Sequence, residues 1–164
     1  MPAAPPDSDQ RAYRRALGAF ATGVCVVTAD TSEGPLGITV NSFTSVSLDP
    51  PLILWCLDEA SDRWPAFAAA ERFAVHVLNA EGQPDSERFA WGICRLEPDE
   101  YVADPDGPPL MPHAVARFVC STADRIQMGD HMVIVGRVES FESAPGDALV
   151  FYKGRYGRAK GQGR

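Results

Sequence analysis

Gly37-Ile38-Thr39-Val40-Asn41-Ser42-Phe43-Thr44-Ser45-Val46-Ser47-Leu48-Asp49-Pro50-Pro51-Leu52 alternates apolar bulk with small polar side chains, the period of a strand with one buried face. The alternation slips around Ser42, which predicts a bulge or bend there instead of one flat strand. Asp49-Pro50-Pro51 breaks the run. Leu52 to Leu57 is then continuously apolar and bounded by turns, and is expected as a deeply buried strand. Upstream, Val24 to Thr28 is rich in β-branched residues, and Asp30 to Pro35 has turn chemistry, so a hairpin is expected. Before it, Asp7 or Ser8 can cap a helix whose apolar positions are Ala12, Ala16, Leu17 and Phe20, with Gly18 and Gly23 ending it.

Downstream, Ser61-Asp62 can cap a short helix through Ala70, with Pro65 tolerated in its first turn. Arg72 to Leu78 reads as a strand and Pro84 to Ala90 as a helix. Residues 92–112, rich in Pro, Asp and Gly, read as a long irregular excursion. Ala116 to Ile126 and His131 to Phe141 are two long strands joined near Met128-Gly129-Asp130, and Leu149 to Tyr152 is a last one. Six or seven strands linked mostly by turns, with two or three short helices, imply a mainly β fold: an antiparallel β-barrel with accessory helices. A doubly wound fold needs regular strand–helix alternation, which the second half lacks. One domain is expected over residues 11–159, between a flexible segment at 1–10 and a flexible tail at 160–164.

Composition narrows the function. The formal net charge of −7 argues against nucleic acid as a partner. No apolar run approaches the length of a membrane span, and the start Met1-Pro2-Ala3-Ala4-Pro5-Pro6 lacks the basic and apolar regions of a signal peptide, so a soluble, cytoplasmic protein is expected. Cys25, Cys56, Cys94 and Cys120 form no CxxC pair, and His76, His113 and His131 are scattered, so no metal site is expected. Lys153, Arg155, Arg158, Lys160 and Arg164 cluster near the C-terminus without an acidic neighbour, which suits either an anionic ligand or a solvated tail.

The familiar catalytic signatures are missing: no Walker loop, no G-x-G-x-x-G, no H-E-x-x-H and no G-x-S-x-G. Any nucleotide is therefore held without a Rossmann fingerprint. In the opening segment, hydroxyls and an amide lie beside a bend and next to an apolar strand. Such an edge suits a flat heterocycle with carbonyls and ring nitrogens; it equally suits an edge strand with a polar outer face.

Ala19-Phe20-Ala21-Thr22-Gly23-Val24-Cys25-Val26-Val27-Thr28-Ala29 resembles the opening of the flavin reductase-like, FMN-binding split-barrel family. Gly37 to Leu52 resembles that family's flavin loop. Gly129-Asp130-His131, and Tyr152-Lys153-Gly154-Arg155-Tyr156-Gly157, match its closing motifs, so the similarity runs in order over roughly residues 11–159. The resemblance implies a split barrel of Greek-key-like antiparallel strands that works as a homodimer with flavin at the interface. It implies NAD(P)H:flavin oxidoreductase activity, with FMN or FAD as flavin and NADH or NADPH as hydride donor, and a flavin-dependent monooxygenase as partner.

Carried over by motif, Thr39, Val40, Asn41 and Ser42 edge the isoalloxazine ring. Cys56, Leu57 and Asp58, with Ser61 at the following helix N-terminus, run along the ribityl chain to the phosphate. Arg88 and Phe89 match a second flavin-contacting turn, and Tyr152, Arg155 and Tyr156 close the site. His131 is either a polar strand end or, as the resemblance implies, a positioning residue beside the nicotinamide. His76 is expected to be structural. The chain departs from the family at Trp91-Gly92-Ile93-Cys94 and over the Arg95 to Pro112 excursion, which leaves the nucleotide side least defined. Two rival readings are a non-catalytic flavoprotein for electron transfer or storage, and a split-barrel dimer without flavin that serves interaction or haem handling.

Overall fold

Two β-branched strands set the frame: β2 (Cys25–Thr31) and β6 (Arg72–Leu78) pair antiparallel, with Val26 opposite His76. In the computed structural model, which describes residues 7–105 and 107–162, both are buried on both faces over most of their length. That is why their apolar runs show little alternation. Around them, β3 (Gly34–Val40), β4 (Thr44–Leu48), β5 (Pro51–Asp58), β7 (Ala114–Met128) and β8 (His131–Ser143) complete a seven-stranded antiparallel sheet in the order β3-β2-β6-β7-β8-β5-β4.

The two edges of this sheet, β3 and β4, are consecutive in sequence and joined by Asn41, Ser42 and Phe43. Laid flat, edges six strand steps apart would be about 29 Å from each other at ~4.8 Å per step. The chain from Val40 to Thr44 reaches at most about 14 Å. The sheet must therefore curl until its edges approach, giving a barrel that stays open between β3 and β4. The slip expected at Ser42 is thus a bend at which the chain passes from one edge to the other.

Inside the curl, Trp55 meets Phe67 and Phe73 edge-to-face at 5.9 Å each, within a core that includes Val27, Ile38, Cys120 and Ile134. Gly136 is required there, because a Cβ would stand 2.6 Å from Phe73 Cζ and 3.0 Å from Cys120 Cβ. Phe67 comes from α2 (Trp64–Ala69). A second apolar cluster on the outer side joins Val24, Val26, Leu78, Leu96, Met111 and Leu149 to Phe89 of α3 (Gln83–Trp91). Beside it lies a small sheet of β1 (Thr22–Gly23), β9 (Ala148–Tyr152) and β10 (Arg155–Ala159), in the order β1-β9-β10.

Several expectations change. Ten strands form among the described residues, not six or seven; β10 has little apolar bulk and is formed by a tight hairpin with Lys153 and Gly154 at φ 48° and 76°. β5 is buried on one face only: Ile53, Trp55 and Leu57 are enclosed, while Leu52, Leu54 and Cys56 are half-buried on the other side. The helix α2 starts at Trp64, past the expected Ser61-Asp62 cap; Ser61 Oγ instead accepts the Arg63 N–H at 3.2 Å in the turn before it. Helix α1 (Asp7–Leu17) forms as expected, yet its apolar side meets no core: Tyr13, Leu17 and the following Phe20 are exposed. The expected looseness of residues 1–6 and of the last two residues, and the capping side chains of Asp7 and Ser8, lie outside the described residues. No described helix is long and apolar enough to cross a membrane.

Candidate functional site

The end of β3, the last turns of α3 and the β9–β10 hairpin enclose a cleft of ≈ 790 Å³. Its polar points include Thr39, Asn41, Ser86, Glu87 and Arg88, and its apolar walls include Val24, Val40 and Phe151. Ser86 knots three elements together. Its carbonyl accepts the Thr39 hydroxyl at 2.7 Å, and its fully buried hydroxyl shares a 2.8 Å hydrogen bond with the Tyr156 hydroxyl. Tyr156 packs edge-on against Phe151 at 5.2 Å, which fixes the cleft floor.

Of the residues expected from sequence, Thr39, Val40, Asn41, Arg88 and Tyr156 meet in this cleft. Arg88 is held in place by the Glu100 carboxylate and by donation to the Arg95 carbonyl at 2.7 Å, and it covers the Phe89 ring at 4.7 Å. The Glu100 hydrogen bond holds the guanidinium above its usual pKa, and the Arg88 partner holds Glu100 below the usual carboxylate value. A second depression of ≈ 540 Å³ lies on the other side of Asn41, with Ser42, Phe43, Thr22 and the exposed Phe20 in its wall. Ser42 Oγ accepts the Cys56 N–H at 2.9 Å and ties the bend to β5. Burial raises the Cys56 thiol pKa, and the Ser42 hydrogen bond lowers it in part.

Other expected residues lie elsewhere. The Leu57 and Phe89 side chains are fully enclosed, and Phe89 fills the space over Gly37, where a Cβ would stand 2.8 Å from its ring. Their side chains therefore serve the core. Asp58 Oδ1 accepts the Ala60 N–H at 2.9 Å, and its carbonyl accepts the Ser61 N–H at 3.0 Å, forming a tight turn at the exit of β5. His131 opens β8 opposite Asp58, with Nδ1 2.7 Å from Asp130 Oδ1, an interaction that lowers the Asp130 pKa. His131, Tyr152 and Arg155 do not line the cleft within one chain. His76, as expected, is structural: it is buried and bonded at both ring nitrogens.

Sequence reading missed Ser86, Glu87, Trp91 and Phe151 in the lining. Ser86 and Glu87 carry no signal inside a short helix. Trp91 does: a tryptophan within the departure from the family, here 90% exposed on the cleft rim.

A family model described as "Flavin reductase like domain" matches residues 17–160. The chain is 47% identical to an FMN reductase (NADH), SmoA, of Agrobacterium fabrum, over 94% of this chain and 88% of that protein. It is 35% identical to the reductase subunit HsaB of a flavin-dependent monooxygenase of Mycobacterium tuberculosis, over 90% of this chain and 81% of that one. Another relative is longer, and the chain spans 48% of it. Among solved structures, the NADH:FAD oxidoreductase SgcE6 of Streptomyces globisporus, in complex with NAD and FAD fragments, superposes with a TM-score of 0.85 at 35% identity, over 94% of this chain and 95% of that chain.

Proposed function

The chain belongs to the flavin reductase-like domain family, and from that premise we propose that it is an NAD(P)H:flavin oxidoreductase that delivers reduced FMN or FAD to a flavin-dependent monooxygenase. The observation that carries this reading is the ≈ 790 Å³ cleft with apolar walls and a polar edge at Thr39, Asn41 and Ser86. Its size lies within the roughly 300–1,000 Å³ of small-molecule sites, and the Asn41 amide in its lining suits the polar edge of an isoalloxazine.

When both nucleotides are bound, hydride passes from nicotinamide to flavin, chemistry that belongs to the cofactors. The chain has to hold two rings face to face and exclude water; well-oriented reactants gain roughly 7–11 kcal/mol of barrier lowering. The Ser86–Tyr156–Phe151 floor is a fixed surface for that purpose, since each member is locked by another. The Asn41 amide supplies donors at the edge where negative charge grows, while Thr39 holds that edge to α3 through the Ser86 carbonyl.

The working unit is a homodimer. This is supported by exposed apolar side chains on α1 (Tyr13, Leu17), at Phe20, on β4 (Val46, Leu48) and at Phe141, together with the half-buried outer face of β5. In that assembly His131, Tyr152 and Arg155 complete a site from the other subunit, His131 positioning the nicotinamide. All four cysteines are free, which fits a reducing cytoplasm. The test is an anaerobic titration: protein with FMN or FAD, then NADH or NADPH. Loss of the oxidised flavin band faster than without protein is expected. Bound flavin that neither nucleotide bleaches would overturn the reductase in favour of an electron carrier.

A further inference from the structure

Trp91 closes α3 with its indole on the outside. Phe89 is fully buried, and at about 100° per residue the position two further on points to nearly the opposite side of the helix. The chain then leaves at once. The Gly92 N–H donates to the Arg88 carbonyl at 2.7 Å, and a Cβ at Gly92 would stand 3.0 Å from that oxygen. The indole is 90% exposed and joins no aromatic pair or cation–π contact among the described residues. Of the other two tryptophans, Trp55 is fully enclosed and Trp64 is half-buried.

Single exposed apolar residues are ordinary on a protein surface. Trp91 differs because it lines the ≈ 790 Å³ cleft. Thr39 and Ser86, bonded at 2.7 Å, mark the β3 end of that cleft, and Trp91 stands five residues along α3 from Ser86, about 7.5 Å further on. Beside it the lining is Ala90 and Gly92, which bring no polar side chain. Arg88, one turn back, is already engaged by the Glu100 carboxylate and the Arg95 carbonyl. The Trp91 end therefore offers a bare π-face in place of polar side chains. It suits a flat, neutral ring held by its face, whereas the Asn41 end suits a ring held by its edge.

We propose that Trp91 is a stacking platform for adenine and sets the preference of this chain for adenine-bearing nucleotides. The inference rests on the reductase reading, which supplies two sources of that base: FAD and the nicotinamide dinucleotide. With the isoalloxazine edge at Asn41, the ring that reaches Trp91 is the second ring of a dinucleotide. The indole touches no reacting atom, so its role is affinity and choice of ligand.

The test is calorimetric titration of the full chain with two ligand pairs, FAD against FMN and NADH against reduced nicotinamide mononucleotide. The unaltered protein is compared with Trp91→Ala and Trp91→Phe. Stacking of one base on an aromatic side chain corresponds to roughly tenfold to a hundredfold in affinity. Trp91→Ala is expected to lose about tenfold or more of the preference for the adenine-bearing member of at least one pair, and Trp91→Phe to keep most of it. A change in the first pair assigns the platform to FAD, and a change in the second to the nicotinamide dinucleotide. Both preferences unmoved by Trp91→Ala would overturn it. In the protein without ligand, the emission lost in Trp91→Phe should be readily quenched by acrylamide. An indole already shielded there is covered by a second copy of the chain, which would also overturn the platform. Failure of the unaltered chain to reduce any flavin refutes the reductase reading alone, because binding and quenching are read without turnover.

Discussion

Ser86 and Tyr156, 70 positions apart, share a 2.8 Å hydrogen bond that clamps α3 to the β9–β10 hairpin across the floor of the cleft. The Ser86 side of the clamp is completely buried. A neutral hydrogen bond of this kind contributes about 1 kcal/mol, and more is lost when a buried partner is left unsatisfied. Tyr156→Phe is expected to weaken flavin binding by about fivefold to tenfold and to leave the fold intact, as measured by fluorescence titration and circular dichroism. Unchanged affinity would remove the clamp from the site.

Phe89 is expected to act through stability. Its ring is enclosed against Gly37 and lies under Arg88. Phe89→Ala should cost about 3–5 kcal/mol in urea unfolding. Gly37→Ala pushes a methyl group into the same ring and should cost about 1–3 kcal/mol, recovered in part by adding Phe89→Leu. A double variant no more stable than Gly37→Ala would show that the contact is not what makes the glycine necessary.

His76 predicts how stability depends on pH. The Met111 N–H donates to Nε2 at 3.0 Å, so Nδ1 carries the proton and faces the Val26 carbonyl at 3.1 Å. Burial, with the nearby Arg117 charge, pushes its pKa down to about 4 from 6.5. Between these values the unfolded chain binds the proton and the folded chain does not. Stability therefore falls as pH drops from 6.5 toward 4, by up to roughly 3 kcal/mol, and is insensitive to this group above that window. The strap over residues 109–111, which Thr28 and Arg117 also hold, should loosen with it. Urea midpoints measured at pH 7 and pH 4.5 check the slope, and His76→Gln should flatten it.

The apolar side of α1 supplies the test of assembly. Leu17 and Phe20 are 56% and 78% exposed in the single chain. Replacing both by Ser should shift the protein toward monomer in analytical ultracentrifugation and should reduce flavin turnover with the dimer population. Wild-type protein sedimenting as a monomer at micromolar concentration would refute the interface.

His131 is expected to act on the nicotinamide nucleotide. His131→Ala should raise the KM for that nucleotide severalfold with little effect on flavin affinity. The reverse pattern would place it on the flavin instead.

The strands, the 92–112 excursion and the bend at Ser42 could be read from the chain, because burial and turn chemistry write themselves into local patterns. The resemblance, carried by motifs spread along the chain, likewise pointed to Thr39, Asn41 and Tyr156. Three things needed the fold. The β10 strand has no apolar pattern of its own and exists because Lys153 and Gly154 turn it back onto β9. Leu57 and Phe89 sit inside motifs that suggest ligand contact, yet the side to which each points follows from strand register and helix phase within a packed core. Ser86 is an ordinary surface residue in a sequence, and Trp91 an ordinary core residue. Only packing α3 against β3 and the β9–β10 hairpin buries the serine hydroxyl and leaves the indole on the cleft rim. Long-range packing decides which polar groups lose water, and that loss gives them chemical consequence.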